Sequence, residues 1–348
     1  MIGLYHLHKQ QMDEACAEWC KAAKTMLDDD CYVYKLKNEK GKVVGEFKFK
    51  TFKDKVIGVS RLKLNHSGLS GTNLEIANDL LEDELNLVFT DFEAYVGYDV
   101  DKIKQVANKC KKNLEHTALY HYVYQALKEP FEDFYTKMQK KMQYDTFEKL
   151  GIRTCPYCNR QYTFTLRPKE KGDPFTSPEF DHFYPKSLYP TLAVSFYNLV
   201  PSCHCCNHGK GTKQLHINPY DYRFQGGFYL QDEQGNRMNT NDILSIKDEA
   251  YIYVGYDGPF EEREDVKTLG LDQLYSMHSD YVQEIIDKVN GYKAASMQDL
   301  IDSFQGYYNT PQQIYDFVWG KYLELSEQEK RPLSKFTKDL LELLCVKR

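Results

Sequence analysis

The chain has 348 residues, 42% of them apolar, with 45 Lys and Arg against 51 Asp and Glu and a formal net charge of −6. That length predicts two or three domains with ordinary packed cores, and the acidic balance excludes a wholly basic nucleic-acid coat. No run approaches the ~18 apolar residues of a membrane span. The opening Met1-Ile-Gly-Leu-Tyr-His lacks the apolar core of a secretory signal, so the six cysteines outside the zinc-spaced pairs, Cys16, Cys20, Cys31, Cys110, Cys205 and Cys345, read as reduced thiols of a cytoplasmic protein.

Residues 10–27 place Met12, Cys16, Trp19, Cys20, Ala23 and Leu27 at three- and four-residue intervals, which predicts an amphipathic helix. The period then changes. Tyr32, Tyr34 and Leu36 alternate, Asn38 to Gly41 turn the chain, and Val43, Phe47 and Phe49 continue, so 31–50 read as a β-hairpin extended by 55–64. Thr72 and Glu75 have capping-box spacing and open a helix to about residue 95, faced by Leu74, Ala77, Leu81, Leu85, Val88 and Phe92. Further helices are expected over 99–128 and 130–150, ending at Gly151. Pro168, Gly172, Pro174 and Pro178 mark a loop, and Asn218 to Asp221 close the central module. Strand-like runs follow at 228–231 and 249–255, and a helix over 263–293. Thr310-Pro311-x-Gln313 starts another helix, and Ser334 caps a last one reaching Cys345. The expected organisation is α+β: mostly helical flanks, 1–150 (with the small hairpin) and 221–348, around a central module, 151–220.

That module holds Cys155-Pro-Tyr-Cys158 and Cys203-His-Cys-Cys206, separated by 44 residues. Two Cys-x-x-Cys turns can converge on one tetrahedral zinc ion, and a four-coordinate site staples a fold without catalysing. Cys205 can substitute for Cys203 by position, and His204 and His208 are near enough to compete as ligands. Residues 151–216 carry eight Lys and Arg against four Asp and Glu, reversing the sign of the whole chain. Lys186, Lys210 and Lys213 are the candidate phosphate contacts there.

Between and beside the cysteine pairs stand Asp181-His182, Asn198 and Asn207. An acid, a histidine and two amides are the residue types a single-metal nuclease needs. The order Cys-x-x-Cys, Asp181-His-Phe-Tyr-Pro185, Asn198-Leu199, Cys-x-x-Cys-Asn207-x-x-Lys210 resembles the HNH endonucleases and their ββα-metal finger. The wording of Asp181 to Ser187 and Ser195 to Leu199 is similar to the HNH subunits of Septu-type bacterial anti-phage defence systems. The resemblance covers about residues 150–220.

It implies a phosphodiester hydrolase acting on nucleic acid, DNA first. His182 would be the general base, because neutral imidazole accepts a proton at cellular pH. Asp181 and Asn207 would hold Mg²⁺ or Mn²⁺, with His208 as the second choice at the latter position. Asn198 would orient His182 by a hydrogen bond. The resemblance also implies a PtuA-like ATPase partner subunit. The alternative is a zinc-finger nucleic-acid binder or scaffold without catalysis, which needs neither Asp181 nor His182.

Overall fold

The computed structural model describes residues 3–38, 40–167, 175–247, 252–294, 299, 302–304, 306–308 and 310–344. It is a mixture of helices and two-stranded sheets. Its contacts divide into two compact units. The first comprises Met1–His8, Ile152–Glu179 and Pro201–Arg348, and the second Lys9–Gly151 and Phe180–Val200. Among the described residues no helix is long and apolar enough to cross a membrane.

In the second unit, α1 (Tyr5–Asp28) buries Met12, Trp19, Cys20, Ala23 and Leu27, the face its spacing predicts. Strands β1 (Asp30–Lys37) and β2 (Val43–Thr51) form the antiparallel hairpin. The expected extension over 55–64 is a helix instead, α2 (Phe52–Asn65). The Thr51 hydroxyl accepts from the Asp54 amide at 3.1 Å and the Asp54 carboxylate accepts from the Thr51 amide at 3.2 Å. This reciprocal cap satisfies two orphan donors and turns a β-branched run into a helix. Helix α3 (Gly71–Phe89) starts at Ser70, so Thr72 lies inside the first turn and forms no cap. It also stops earlier than expected, and Asp91 opens a separate short helix, α4 (Phe92–Val96).

Asp99 caps α5 (Val100–His116), and α6 (Leu119–Leu150) then runs unbroken through Pro130. The helix break expected near Pro130 therefore falls at Thr117. Proline removes one helical bond, but Leu127, Phe131 and Phe134 around it are buried core. Phe134 packs against Phe52 and Phe92 with centroids at 5.0 and 5.6 Å. Gly151 ends α6 at φ +62°, a left-handed cap.

The first unit includes the antiparallel pair β3 (Thr165–Leu166) and β4 (Phe175–Thr176). Residues 168–174 of the expected loop, including Pro168, Gly172 and Pro174, lie outside the described residues. Strands β5 (Glu179–His182) and β6 (Leu199–Ser202) make a further two-stranded sheet, with 180–182 and 199–200 counted in the second unit, and α7 (His204–Lys210) of the first unit follows β6. Strand β7 (Gly227–Gln231) pairs antiparallel with β8 (Tyr253–Asp257), with α8 (Thr240–Leu244) between them in sequence. Of the run expected at 249–255, residues 249–251 lie outside the described residues. The single helix expected over 263–293 is three: α9 (Phe260–Leu269), α10 (Leu271–Ser276) and α11 (Ser279–Ala294). Gly270, at φ +61°, makes the first of these breaks.

Thr310 is the expected N-cap of the helix Pro311–Trp319, with Pro311 at its first position, and Gln313 completes a capping box. The helix Ser334–Leu343 is entered differently from expectation. Leu333 occupies the cap position at φ +64°, while the Ser334 hydroxyl donates back to the Arg331 carbonyl at 3.0 Å. Cys345 lies outside the described residues.

Phe228, Tyr275 and Phe336 centre this unit's core, with Tyr275 at 4.4 Å from Phe228 and 4.6 Å from Phe336. Three buried carboxylates cross-tie it. Glu262 accepts from the Gln225 and Gly226 amides, Asp265 from the His216 and Ile217 amides, and Asp339 from the Phe228 amide. Such bonds meet the desolvation cost of a buried charge.

Candidate functional site

Chemistry-bearing residues gather in both units. In the first unit the sulfurs of Cys155, Cys158, Cys203 and Cys206 all lie within 4.8 Å of one another, and all four residues are buried. The Cys158 and Cys203 sulfurs are 3.9 Å apart, against the roughly 3.8 Å edge that follows from Zn–S bonds of about 2.3 Å in a tetrahedron. Cys205, the alternative by spacing, is exposed and belongs to no such group.

Local structure explains the convergence. The Cys155 amide bonds to the Gln161 carbonyl at 2.9 Å and the Asn159 amide to the Cys155 carbonyl at 2.7 Å, which makes a tight knuckle. The Arg160 amide donates to the Cys158 sulfur at 3.3 Å, a bond that favours thiolate. Cys203 is the N-cap of α7, which leaves Cys206 on the first turn beside it.

Burial pushes the Cys155 thiol well above the ordinary thiol range, whereas hydrogen bonds from Cys155 and Cys158 drive Cys203 far below it. Four packed sulfurs thus oppose one another as thiolates until a divalent cation accepts all of them. The group fits a structural zinc ion.

Asn159 follows the knuckle at φ +48°. Its side-chain amide donates to the Thr154 hydroxyl at 2.9 Å and to the Gln328 and Arg331 carbonyls at 3.1 and 3.2 Å. Its side-chain oxygen accepts from the Lys335 amide at 3.1 Å. The Tyr275 hydroxyl also donates to the Cys158 carbonyl. The knuckle is therefore bolted to the helix Ser334–Leu343 and to α10. No spacing rule picks out Asn159, because its partners lie about 170 residues away.

Helix α7 carries Asn207 and His208 beside Glu179. The Asn207 amide donates to Glu179 Oε2 at 2.6 Å, and His204 Nδ1 meets Glu179 Oε1 at 2.8 Å. Glu179 is absent from the residues singled out by sequence. The available signal was the four-residue interval from His204 to His208, which puts both on one helix face. Lys210 is 1% exposed, so it is neither a solvated lysine nor an open phosphate contact. Lys213 is exposed.

Asp181, His182 and Asn198 belong to the second unit, and all three are buried. His182 Nε2 lies 2.9 Å from the Ala193 carbonyl. A carbonyl only accepts, so Nε2 carries a proton in this bond. Tyr135 packs edge-on against the imidazole at 4.5 Å, and the Lys186 ammonium sits over the Tyr135 ring at 5.0 Å. The Trp19 indole donates to the next carbonyl, Val194, at 2.9 Å and fixes the turn that holds His182.

The orienting bond expected from Asn198 to His182 comes from Ala193 instead. Asn198 Oδ1 accepts from the Tyr184 amide at 2.7 Å, and its Nδ2 donates to the Tyr184 and Leu192 carbonyls at 3.1 and 3.0 Å. Asn198 thus shapes the loop on both sides of the imidazole rather than the ring itself.

No protein-family model matches the chain, and no solved structure matches it. Over 45 residues the chain is 51% identical to a Septu protein, PtuB, of Bacillus thuringiensis. That stretch is 12% of this chain and spans only 18% of the relative's length.

Proposed function

We propose that the chain is a metal-dependent HNH-type endonuclease and the nuclease effector of a bacterial anti-phage defence system. The observation that carries this reading is the state of His182. Its Nε2 is held by the Ala193 carbonyl at 2.9 Å, a backbone acceptor that orients the ring as a general base must be oriented. The order β5, β6, α7, with Asp181 and His182 on the first strand and Asn207 on the helix, supports the same reading. So does the partial likeness to a Septu protein.

In this proposal His182 takes a proton from water. The water oxygen bonds to phosphorus, and the bond from phosphorus to the leaving sugar oxygen breaks in line. The leaving oxygen takes a proton from solvent. Asp181 is assigned to Mg²⁺ or Mn²⁺, which when bound would neutralise charge developing on the phosphoryl and leaving oxygens. Asn198 is a positioning residue that acts through the loop at Tyr184 and Leu192. Lys186 and Lys213 are assigned to phosphate. The burial of Lys210 removes it from that role. The partner is an ATPase subunit that controls access of nucleic acid.

The test is cleavage of DNA by the full chain, alone and with the co-expressed ATPase, in Mg²⁺ and in Mn²⁺. His182→Ala should lower the rate about 10²–10⁴-fold, the usual worth of a general base, with zinc content and circular dichroism unchanged. A wild-type protein that binds DNA but never cuts it, with partner and either ion, would establish the non-catalytic binder instead.

A further inference from the structure

Besides the four cysteines, one other described group has a metal-ligand geometry: Glu179, His204 and His208, all in the first unit. One ligand atom from each lies within 4.8 Å of the other two. His204 and His208 are four residues apart on α7, and their rings sit with centroids 4.0 Å apart. Glu179 reaches them from β5, with Oε1 2.8 Å from His204 Nδ1.

We propose that Glu179, His204 and His208 form a second divalent-metal site, selective for an ion of the Zn²⁺ class over Mg²⁺. Two imidazoles and one carboxylate are a donor set that zinc accepts, with one or more positions left open. Imidazole nitrogen disfavours Mg²⁺, which demands oxygen donors and rigid octahedral geometry.

Rigidity comes from the cysteine centre. Cys203 and Cys206 fix the first turn of α7. At about 100° per residue, His204 and His208 share a helix face apart from those two sulfurs. The histidines thus project from a helix that an ion held by the four cysteines would clamp. The carboxylate is also held, because its second oxygen accepts from the Asn207 amide at 2.6 Å. Tetrahedral bonds of about 2.0–2.2 Å place neighbouring donors roughly 3.3 Å apart. The His204–Glu179 pair therefore opens by about half an ångström when the ion replaces the shared proton, a shift that two surface side chains accommodate by small rotations. The His204 side chain is 67% exposed, so the open positions face solvent and take water or an anionic oxygen.

This inference does not depend on nuclease activity, and its test reads metal directly. The full chain, purified with its tightly held zinc, is titrated with Co²⁺ while bound metal and visible absorption are recorded. We expect a second equivalent whose spectrum shows nitrogen and oxygen donors without thiolate charge-transfer bands. Millimolar Mg²⁺ should not displace it. His204→Asn with His208→Asn should lose the second equivalent and keep the first, and Glu179→Gln should weaken the second alone. Retention of the first equivalent reports that each variant is folded. Absence of a second equivalent, its survival in the double variant, or its displacement by Mg²⁺ would overturn the proposal.

Discussion

Asn159 does more than any other single residue to hold the cysteine knuckle in place. Its left-handed backbone makes the turn, and its amide gathers Thr154, Gln328, Arg331 and Lys335. Asn159→Ala should lower stability by about 1–3 kcal/mol, the cost of stranding buried polar partners, read as a drop in urea midpoint. Asn159→Gly keeps the backbone conformation but not the bonds, so it should recover only part of the loss.

His278 gives a second prediction at this scale. Burial, and then the Arg160 guanidinium whose Nε donates to His278 Nε2 at 3.0 Å, hold this histidine below its ordinary value of 6.5. Asp280 opposes that shift and Lys321 adds to it. The unfolded chain therefore takes up the proton first as pH falls. The stabilising contribution is complete above about 6.5 and is lost progressively below it, until the folded histidine also protonates. The urea midpoint should fall between pH 7.5 and pH 5.5, and it should fall less in His278→Gln.

At the level of elements, the cap between Thr51 and Asp54 decides whether 52–65 is strand or helix. Thr51→Ala should cost about 0.5–2 kcal/mol, measured by the same unfolding. A loss confined to α2 would appear as faster amide exchange there.

Legibility from sequence follows the range of the forces involved. The four cysteine ligands were readable because short-range spacing sets their geometry. Asp181 and His182 were readable as a pair. The Ala193 carbonyl was not, since a backbone acceptor leaves no mark in composition. Glu179 was missed because its partners lie 25 and 28 residues along the chain. Among helices, α1 and the Thr310 cap followed local rules. By contrast, α2 followed a cap that its β-branched residues concealed, and α6 passed through Pro130 because buried packing outweighs one lost hydrogen bond.

At the scale of the whole molecule, the buried four-cysteine group predicts a dependence on metal as well as on the cores. Purified protein should hold about one tight zinc ion at the cysteine centre. Cys158→Ser should lose that ion and lower the melting temperature, because binding energy at such a centre is folding energy. Full zinc retention in that variant would refute the ligand set. The two units also bear on which fragments can fold. Residues 150–220 contain only part of each unit. That fragment should give the circular dichroism of an unfolded chain and fail to join the ATPase complex proposed for the full chain. A folded fragment that still joined would show that the flanks are dispensable.

The interrupted threading of the units also sets an order of events on the ribosome. Everything in Lys9–Gly151 and Phe180–Val200 has been synthesised by residue 200, so that unit can consolidate early, as domains do when they emerge in turn. The knuckle at Cys155 has no second pair of sulfurs until Cys206 appears, and the partners of Asn159 arrive only with Gln328 to Lys335. A ribosome stalled near residue 300 would therefore display a finished half-molecule and a cysteine centre still without its anchorage. Anchorage of the cysteine group through Asn159 therefore waits until Gln328 to Lys335 have been made.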